Sequence, residues 1–289
     1  MRTFDHFVAI DWSGAKGERQ KGIALACCTP GRDAPTLVRP DRRWSRADVL
    51  AWLTDELPPN SLVGIDLSPG LPFDGGGGYF PGWPDSPPDA KSLWKLIDEI
   101  CADDPHLASS SFVAHPDARR HFRHGKGDCG DLFQSGVGRL RETERRQKNS
   151  PMGLSPSSCF NLVGAAQVGK SSLTGMRVLH RLAGVVPIWP FDDVPAEGSV
   201  IVEIYTSLAA RAANLPKGRS KMLTGAALDQ ALRELDVDPH TALSRYSDHA
   251  TDAILTAAWL RVTASDASLW HPSGLATVAR TEGWTFGVP

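Results

Sequence analysis

The chain is poor in every feature that would tie it to a membrane or an oxidising compartment. Its apolar runs fall well short of the ~18 residues that a membrane-spanning helix needs. The N-terminal Met1-Arg2-Thr3-Phe4-Asp5-His6 lacks the apolar stretch of a secretory leader. Cysteine is scarce: Cys27, Cys28, Cys101, Cys129 and Cys159 are odd in number and show no Cys-x-x-Cys spacing, so neither a disulfide framework nor a zinc site is implied. An excess of one charge is missing too. The 31 Lys and Arg against 33 Asp and Glu leave a net charge of −2, which gives no global basic field to advertise a polyanionic partner. These absences predict a soluble, cytoplasmic protein with reduced thiols and no membrane partner, and they leave its oligomeric state open. With 289 residues, 41% of them hydrophobic, the chain can bury a sizeable core, and one domain over 1–289 is expected.

What is present is a motif used twice. Phe7-Val8-Ala9-Ile10 leads into Asp11-Trp12-Ser13-Gly14, and Leu62-Val63-Gly64-Ile65 leads into Asp66-Leu67-Ser68-Pro69-Gly70. Each apolar run has the length and composition of a buried strand and ends in an acid followed by turn residues. Ligands of open sheets sit beyond the carboxyl ends of strands. If the two strands are parallel neighbours, Asp11 and Asp66 stand about 5 Å apart. Two such carboxylates repel unless a cation lies between them, which points to a divalent metal.

Further strands are expected over 22–28 and 36–38, joined by Gly-, Pro- and charge-rich hairpin loops. Ser45 is placed to cap a helix whose face is Val49, Leu50, Trp52, Leu53 and Leu57. The order β-β-β-α-β makes that helix a crossover and strands one and four parallel. A fifth strand is expected over 200–205. The segment 67–198 is then an insertion between strands four and five, with helices over 91–102, 131–147 and 172–182. Its Gly75-Gly76-Gly77-Gly78 to Pro87-Pro88 loop reads as too polar and flexible for a core. Later helices are expected over 208–213, 226–235 and 248–263.

Glu203 falls inside the apolar fifth strand, where a lone carboxylate must be paired, protonated or metal-bound. Asp248 and Asp252 share a helix face at i, i+4, and the helix they open, Ala253-Ile254-Leu255-Thr256-Ala257-Ala258-Trp259-Leu260, is apolar nearly all round and so must be buried. Asp11, Asp66, Glu203 and Asp252 can therefore converge on one site. Each has a plainer role open to it. Asp11 and Asp66 could bond the turns that follow, and Glu203 could pair with a buried Arg. Asp248 could cap its helix, and Asp252 could face the helix dipole.

This order of acids resembles the RNase H-like superfamily. More narrowly, the chain is similar to domain-of-unknown-function family 429, nucleases predicted to be RNase H-like. The similar segments are Ala9-Ile10-Asp11-Trp12-Ser13-Gly14-Ala15, Val63-Gly64-Ile65-Asp66, Gly164-Ala165-Ala166-Gln167-Val168-Gly169-Lys170, Val202-Glu203-Ile204-Tyr205, Asp248-His249-Ala250-Thr251-Asp252-Ala253 and the closing Thr281-Glu282-Gly283-Trp284-Thr285-Phe286-Gly287-Val288. The resemblance implies a five-stranded mixed α/β sheet with helices on both faces and the 67–198 insertion as a helical cap. It implies metal-dependent hydrolysis of a phosphodiester in a nucleic acid or nucleotide, with Asp11, Asp66, Glu203 and Asp252 holding two Mg²⁺ or Mn²⁺ ions about 3.5–4 Å apart. An all-carboxylate site suits such hard cations.

A near-neutral chain must focus its cations locally to hold a phosphate. Ser13, Lys170, Lys217, Arg219 and Lys221 are the expected substrate contacts, and Arg119, Arg120, Arg123 and Lys126 form a second basic run. Gly164-Ala165-Ala166-Gln167-Val168-Gly169-Lys170-Ser171 also fits the P-loop pattern letter for letter, with Cys159-Phe160-Asn161-Leu162-Val163 as its strand. Gly175 one turn into the following helix counts against that reading by roughly 1 kcal/mol. Asp11-x-Ser-Gly is similar to the first phosphate loop of sugar-kinase and actin-like ATPases, but no second copy of the fold is found. A metal- or nucleotide-binding scaffold without catalysis is a further alternative.

Overall fold

The computed structural model describes residues 2–134, 138–151, 153–164, 167–216 and 221–289. The sheet strands are β1 (His6–Asp11), β2 (Ala24–Cys28), β3 (Thr36–Leu37), β4 (Ser61–Ile65) and β5 (Val200–Glu203). They lie in the order β3-β2-β1-β4-β5. β1 pairs antiparallel with β2 and β2 with β3, whereas β4 is parallel to both β1 and β5. This is the expected mixed α/β sheet. Ile10 is level with Ile65, and Ile65 with Glu203, so the acids at 11, 66 and 203 come out at one end of three adjacent strands.

Alternation along the strands divides the core in two. Val8, Ile10, Val63, Ile65 and Ile201 face one cluster, while Phe7, Ala9, Leu62, Val200 and Val202 face the other. The first face is covered by α1 (Arg46–Asp55), α2 (Ala90–Ile100) and α4 (Val168–Leu182), and α3 (Glu142–Asn149) lies between α2 and α4 in sequence. The second is covered by α5 (Thr206–Ala212), α6 (Gly225–Glu234) and α7 (Asp248–Thr263). Residues 253–260 of α7 are buried throughout, as its all-round apolar sequence requires. The outer edge of β5 is not left open: Ile188 and Thr285 each form a parallel bridge to it.

The insertion differs from its sequence reading in three ways. Its helices α2 and α4 pack on the sheet beside α1, so they belong to one layer of the core as well as covering the site. The glycine–proline loop is no flexible appendage, because Tyr79, Phe80 and Trp83 are buried in an aromatic cluster with Phe112, Phe122 and Phe160. Of the helix expected over 131–147, only α3 forms. Residues 131–134 and 138–141 are not helical, and 135–137 lie outside the described residues.

Gly175, counted above against the P-loop reading, sits inside α4, where a Cβ would come within 2.3 Å of the Leu67 side chain. The residue after Asp66 thus packs directly on that helix. Segment 159–163 is not a ladder strand; Asn161 makes one isolated bridge with Arg123. The P-loop pattern therefore lacks the strand it needs, and its residues 165 and 166 lie outside the described residues.

Candidate active site

Asp11 ends β1 and Asp66 follows β4 by one residue, so parallel pairing places both acids at the same sheet end. Helix α7 is capped by Ser247, whose hydroxyl accepts from the Ala250 N–H at 3.3 Å. Asp248, read above as the cap, is instead the first helical residue. No sequence pattern singles out its neighbour His249. It turns back to the sheet, with its Nδ1 2.7 Å from Asp11 Oδ2. Asp252, one turn on, is half-buried beside the same carboxylates.

The carboxylates feel one another. Burial raises Asp66 well above the usual range, and Asp11, Asp252 and Glu203 push it further, against a hydrogen bond with Thr206. Asp252 is pushed up to about 7 by burial and then by Asp11 and Asp248. Burial also raises Asp11, opposed by the His249 hydrogen bond. His249 is raised in turn, first by that bond. Such repulsion among buried acids is what a bound cation would relieve. Yet among the described residues no group of three His, Cys, Asp or Glu side chains is gathered closely enough to form a ready-made metal cage.

Glu203 is placed differently from the expectation of a free ligand. Its Oε2 accepts from Arg141 Nη1 at 2.8 Å and its Oε1 from Arg141 Nη2 at 2.5 Å and Thr285 Oγ1 at 2.9 Å. Burial holds the carboxyl above its ordinary range, and this bidentate pairing works against that rise. Arg141 spends its other donors on Glu144 (2.9 Å), the Glu282 carbonyl (3.0 Å) and the Ser68 hydroxyl (3.1 Å). All five of its N–H groups are thereby used, so it braces the site and has none left for a substrate. The plainer reading of Glu203, a buried ion pair with an Arg, is the arrangement found.

The phosphate contacts also separate. Lys221 is exposed and paired with Asp248. Lys217 and Arg219 lie outside the described residues. Ser13 donates to Gln20 Oε1 at 3.4 Å and its carbonyl accepts from buried Arg46 Nε at 3.2 Å. Lys170 donates to Gln167 Oε1 at 3.3 Å. The loop carrying Ser13 lies hard against the start of α4: a Cβ on Gly14 would be 2.4 Å from the Lys170 carbonyl carbon and the Ser171 nitrogen. The second basic run is partly neutralised, with Arg119 3.5 Å from Asp128 and Arg120 2.7 Å from Asp131. His121 within that run is buried and pushed down to about 4, by burial and then by Arg139 and Arg120.

A cleft of about 470 Å³ opens beside these groups, lined by Asp66, Glu203 and Tyr205 from the strand ends, His249 from α7, and Gln147, Pro156 and Gln167 from the insertion; Asp11, Asp252 and Lys170 are not among its lining residues. Buried acids, one histidine and a half-open cleft of this size suit general acid–base chemistry on a small polar ligand. Compared with known proteins, the chain matches no family model, no curated protein and no solved structure.

Proposed function

We propose that the chain is an RNase H-like phosphodiester hydrolase, similar to domain-of-unknown-function family 429, that works with Mg²⁺ or Mn²⁺. Asp66, Asp11 and Asp252 are the residues that would hold the ion. One observation carries the reading: Asp11 at the end of β1 and Asp252 of α7 both push up Asp66 just after β4, and Asp11 helps push Asp252 up to about 7. A hard dication suits carboxylate oxygens, and holding one would require these three side chains to draw closer together than they stand. When bound, it supplies an activated water and neutralises charge on the phosphate. His249, anchored through Nδ1, presents its other edge to the cleft, where it can accept or deliver a proton. Glu203 and Arg141 act on position, fixing Ser68 and Thr285 at the cleft wall.

The test is hydrolysis of a short single-stranded oligonucleotide by wild type in Mg²⁺ or Mn²⁺, beside Asp66→Asn. The expected result is ion-dependent turnover that the substitution abolishes. Turnover that survives chelation or Asp66→Asn would overturn the reading. Ion binding with no turnover on any phosphodiester would leave a scaffold instead.

A further inference from the structure

The cleft can be asked how much substrate it admits. A polymer crossing the strand ends needs an open groove, and proteins that track single strands engage about 4–16 nucleotides per binding fold. Here the space beside Asp66 is about 470 Å³, at the lower end of the roughly 300–1,000 Å³ that encloses small ligands. What narrows it is the insertion: Gln147 of α3, Pro156 and Gln167 all border the cleft. These walls are not loosely hung. Gln147 is buried and its Nε2 donates to Thr285 Oγ1 at 3.1 Å, which itself donates to Glu203. Gly14 seats the loop after β1 against the first turn of α4, with no space for a Cβ.

Among the described residues, Trp12 and Tyr205 line the cleft beside His249, and Tyr205 is the less buried of the two. Trp12 is 5% exposed, and its indole N–H is tied to the Ser171 carbonyl at 3.1 Å and Thr174 Oγ1 at 3.3 Å. Tyr205 is half-buried and lies within the electrostatic reach of Asp66. It is the ring on which a base can rest while its phosphate meets the acids.

We infer that the substrate is nucleotide-sized: a single nucleotide ester or the free end of a single strand, with its terminal base on Tyr205, and not the interior of a polymer or a duplex. This rests on the phosphodiesterase reading. In the reaction a water oxygen bonds to phosphorus, the P–O bond to the leaving group breaks with its electron pair on the leaving oxygen, one of the water's protons goes to that oxygen to give the alcohol, and the other passes to solvent.

The experiment offers four probes to the full chain with Mn²⁺: the p-nitrophenyl ester of thymidine 5′-monophosphate, a linear single-stranded 20-mer, its covalently closed circle, and a duplex closed by hairpins at both ends. The expected result is hydrolysis of the ester and stepwise shortening of the linear strand, with circle and closed duplex at least about 100-fold slower. Comparable cutting of the circle would overturn the size limit and leave the hydrolase reading standing. If nothing is cut, the hydrolase reading falls, and calorimetric titration decides the size limit alone. Binding of the ester but not the circle supports the limit; equal binding, or none, overturns it. Tyr205→Ser should raise KM for the ester about tenfold with kcat little changed, and Tyr205→Phe should restore it. Equal KM in all three would remove Tyr205 from the assignment.

Discussion

His249 Nδ1 and Asp11 Oδ2, 238 residues apart in the chain, lie 2.7 Å from each other. The bond ties the first turn of α7 to the tip of the central strand β1. It also makes the site sensitive to pH in a calculable direction. His249 is raised by its bond to Asp11, so its contribution to stability is complete below the unfolded value near 6.5 and is lost as pH rises through the folded one. Asp252 is raised from 3.8 to about 7, so the folded state holds that proton more tightly and stability falls as pH climbs from about 4 to about 7. Both act with the same sign. In chelator, the melting temperature should fall between pH 5 and pH 8. Asp252→Asn should remove roughly 1–2 kcal/mol of that dependence, allowing for its half-buried position. A melting temperature that rises over this window would contradict the repulsive arrangement.

Asp66 is the acid most strongly disfavoured as a charge. Replacing it by Asn takes away one of three repelling carboxylates and keeps the shape. Without divalent ion, Asp66→Asn should be as stable as wild type or more so. Millimolar Mn²⁺ should raise the melting temperature of wild type by mass action and leave the variant unmoved. Thermal shift with and without Mn²⁺ reads both effects. An equal gain in the two proteins would take Asp66 out of the ion site.

Arg141 and Glu203 are 1% and 4% exposed at their side chains. Arg141→Ala would strand Glu203 and Glu144 as uncompensated buried carboxylates, and its expected cost is about 3–5 kcal/mol in urea denaturation. Glu203→Gln keeps the Thr285 contact and should cost less. A double-mutant cycle should show strong coupling between positions 141 and 203. A loss under about 1 kcal/mol for Arg141→Ala would mean that the pair is solvated.

The architecture was legible where one residue type dictates one environment. Val8, Ile10, Val63 and Ile65 read as strand and are strand, and the all-apolar 253–260 had to be buried and is. The acids at 11 and 66 could be placed at one sheet end because both close such runs. What escaped depends on partners far away in sequence. Arg141 lies 62 residues from Glu203, and no local pattern distinguishes it from Arg139 or Arg145. His249 was hidden between two acids that drew the metal reading. The Gly75–Pro88 loop looked flexible by composition, whereas Tyr79, Phe80 and Trp83 within it have an aromatic cluster to enter. Gly175 weakens its helix by propensity, which carries no knowledge of Leu67 pressed against it.

Lys170 separates two chemistries that share one string of letters. As a P-loop lysine it would be indispensable to ATP hydrolysis. In the structure it lies in the first turn of α4 beside the Gly14 loop, segment 159–163 is not a ladder strand, and among the described residues its ammonium meets the Gln167 side-chain oxygen at 3.3 Å. That leaves two ammonium protons for a phosphate, as a point charge and not a bidentate clamp. Lys221, by contrast, is already engaged by Asp248. Lys170→Ala should therefore weaken the binding of a single-stranded oligonucleotide and reduce the slope of log affinity against log salt by about 0.7, the value of one released counterion. Lys221→Ala should change that slope little, and neither variant should alter an ATPase rate above background. Steady ATP hydrolysis by wild type, lost in Lys170→Ala but retained in Asp11→Asn, would reverse the assignment and make the glycine loop the catalytic element.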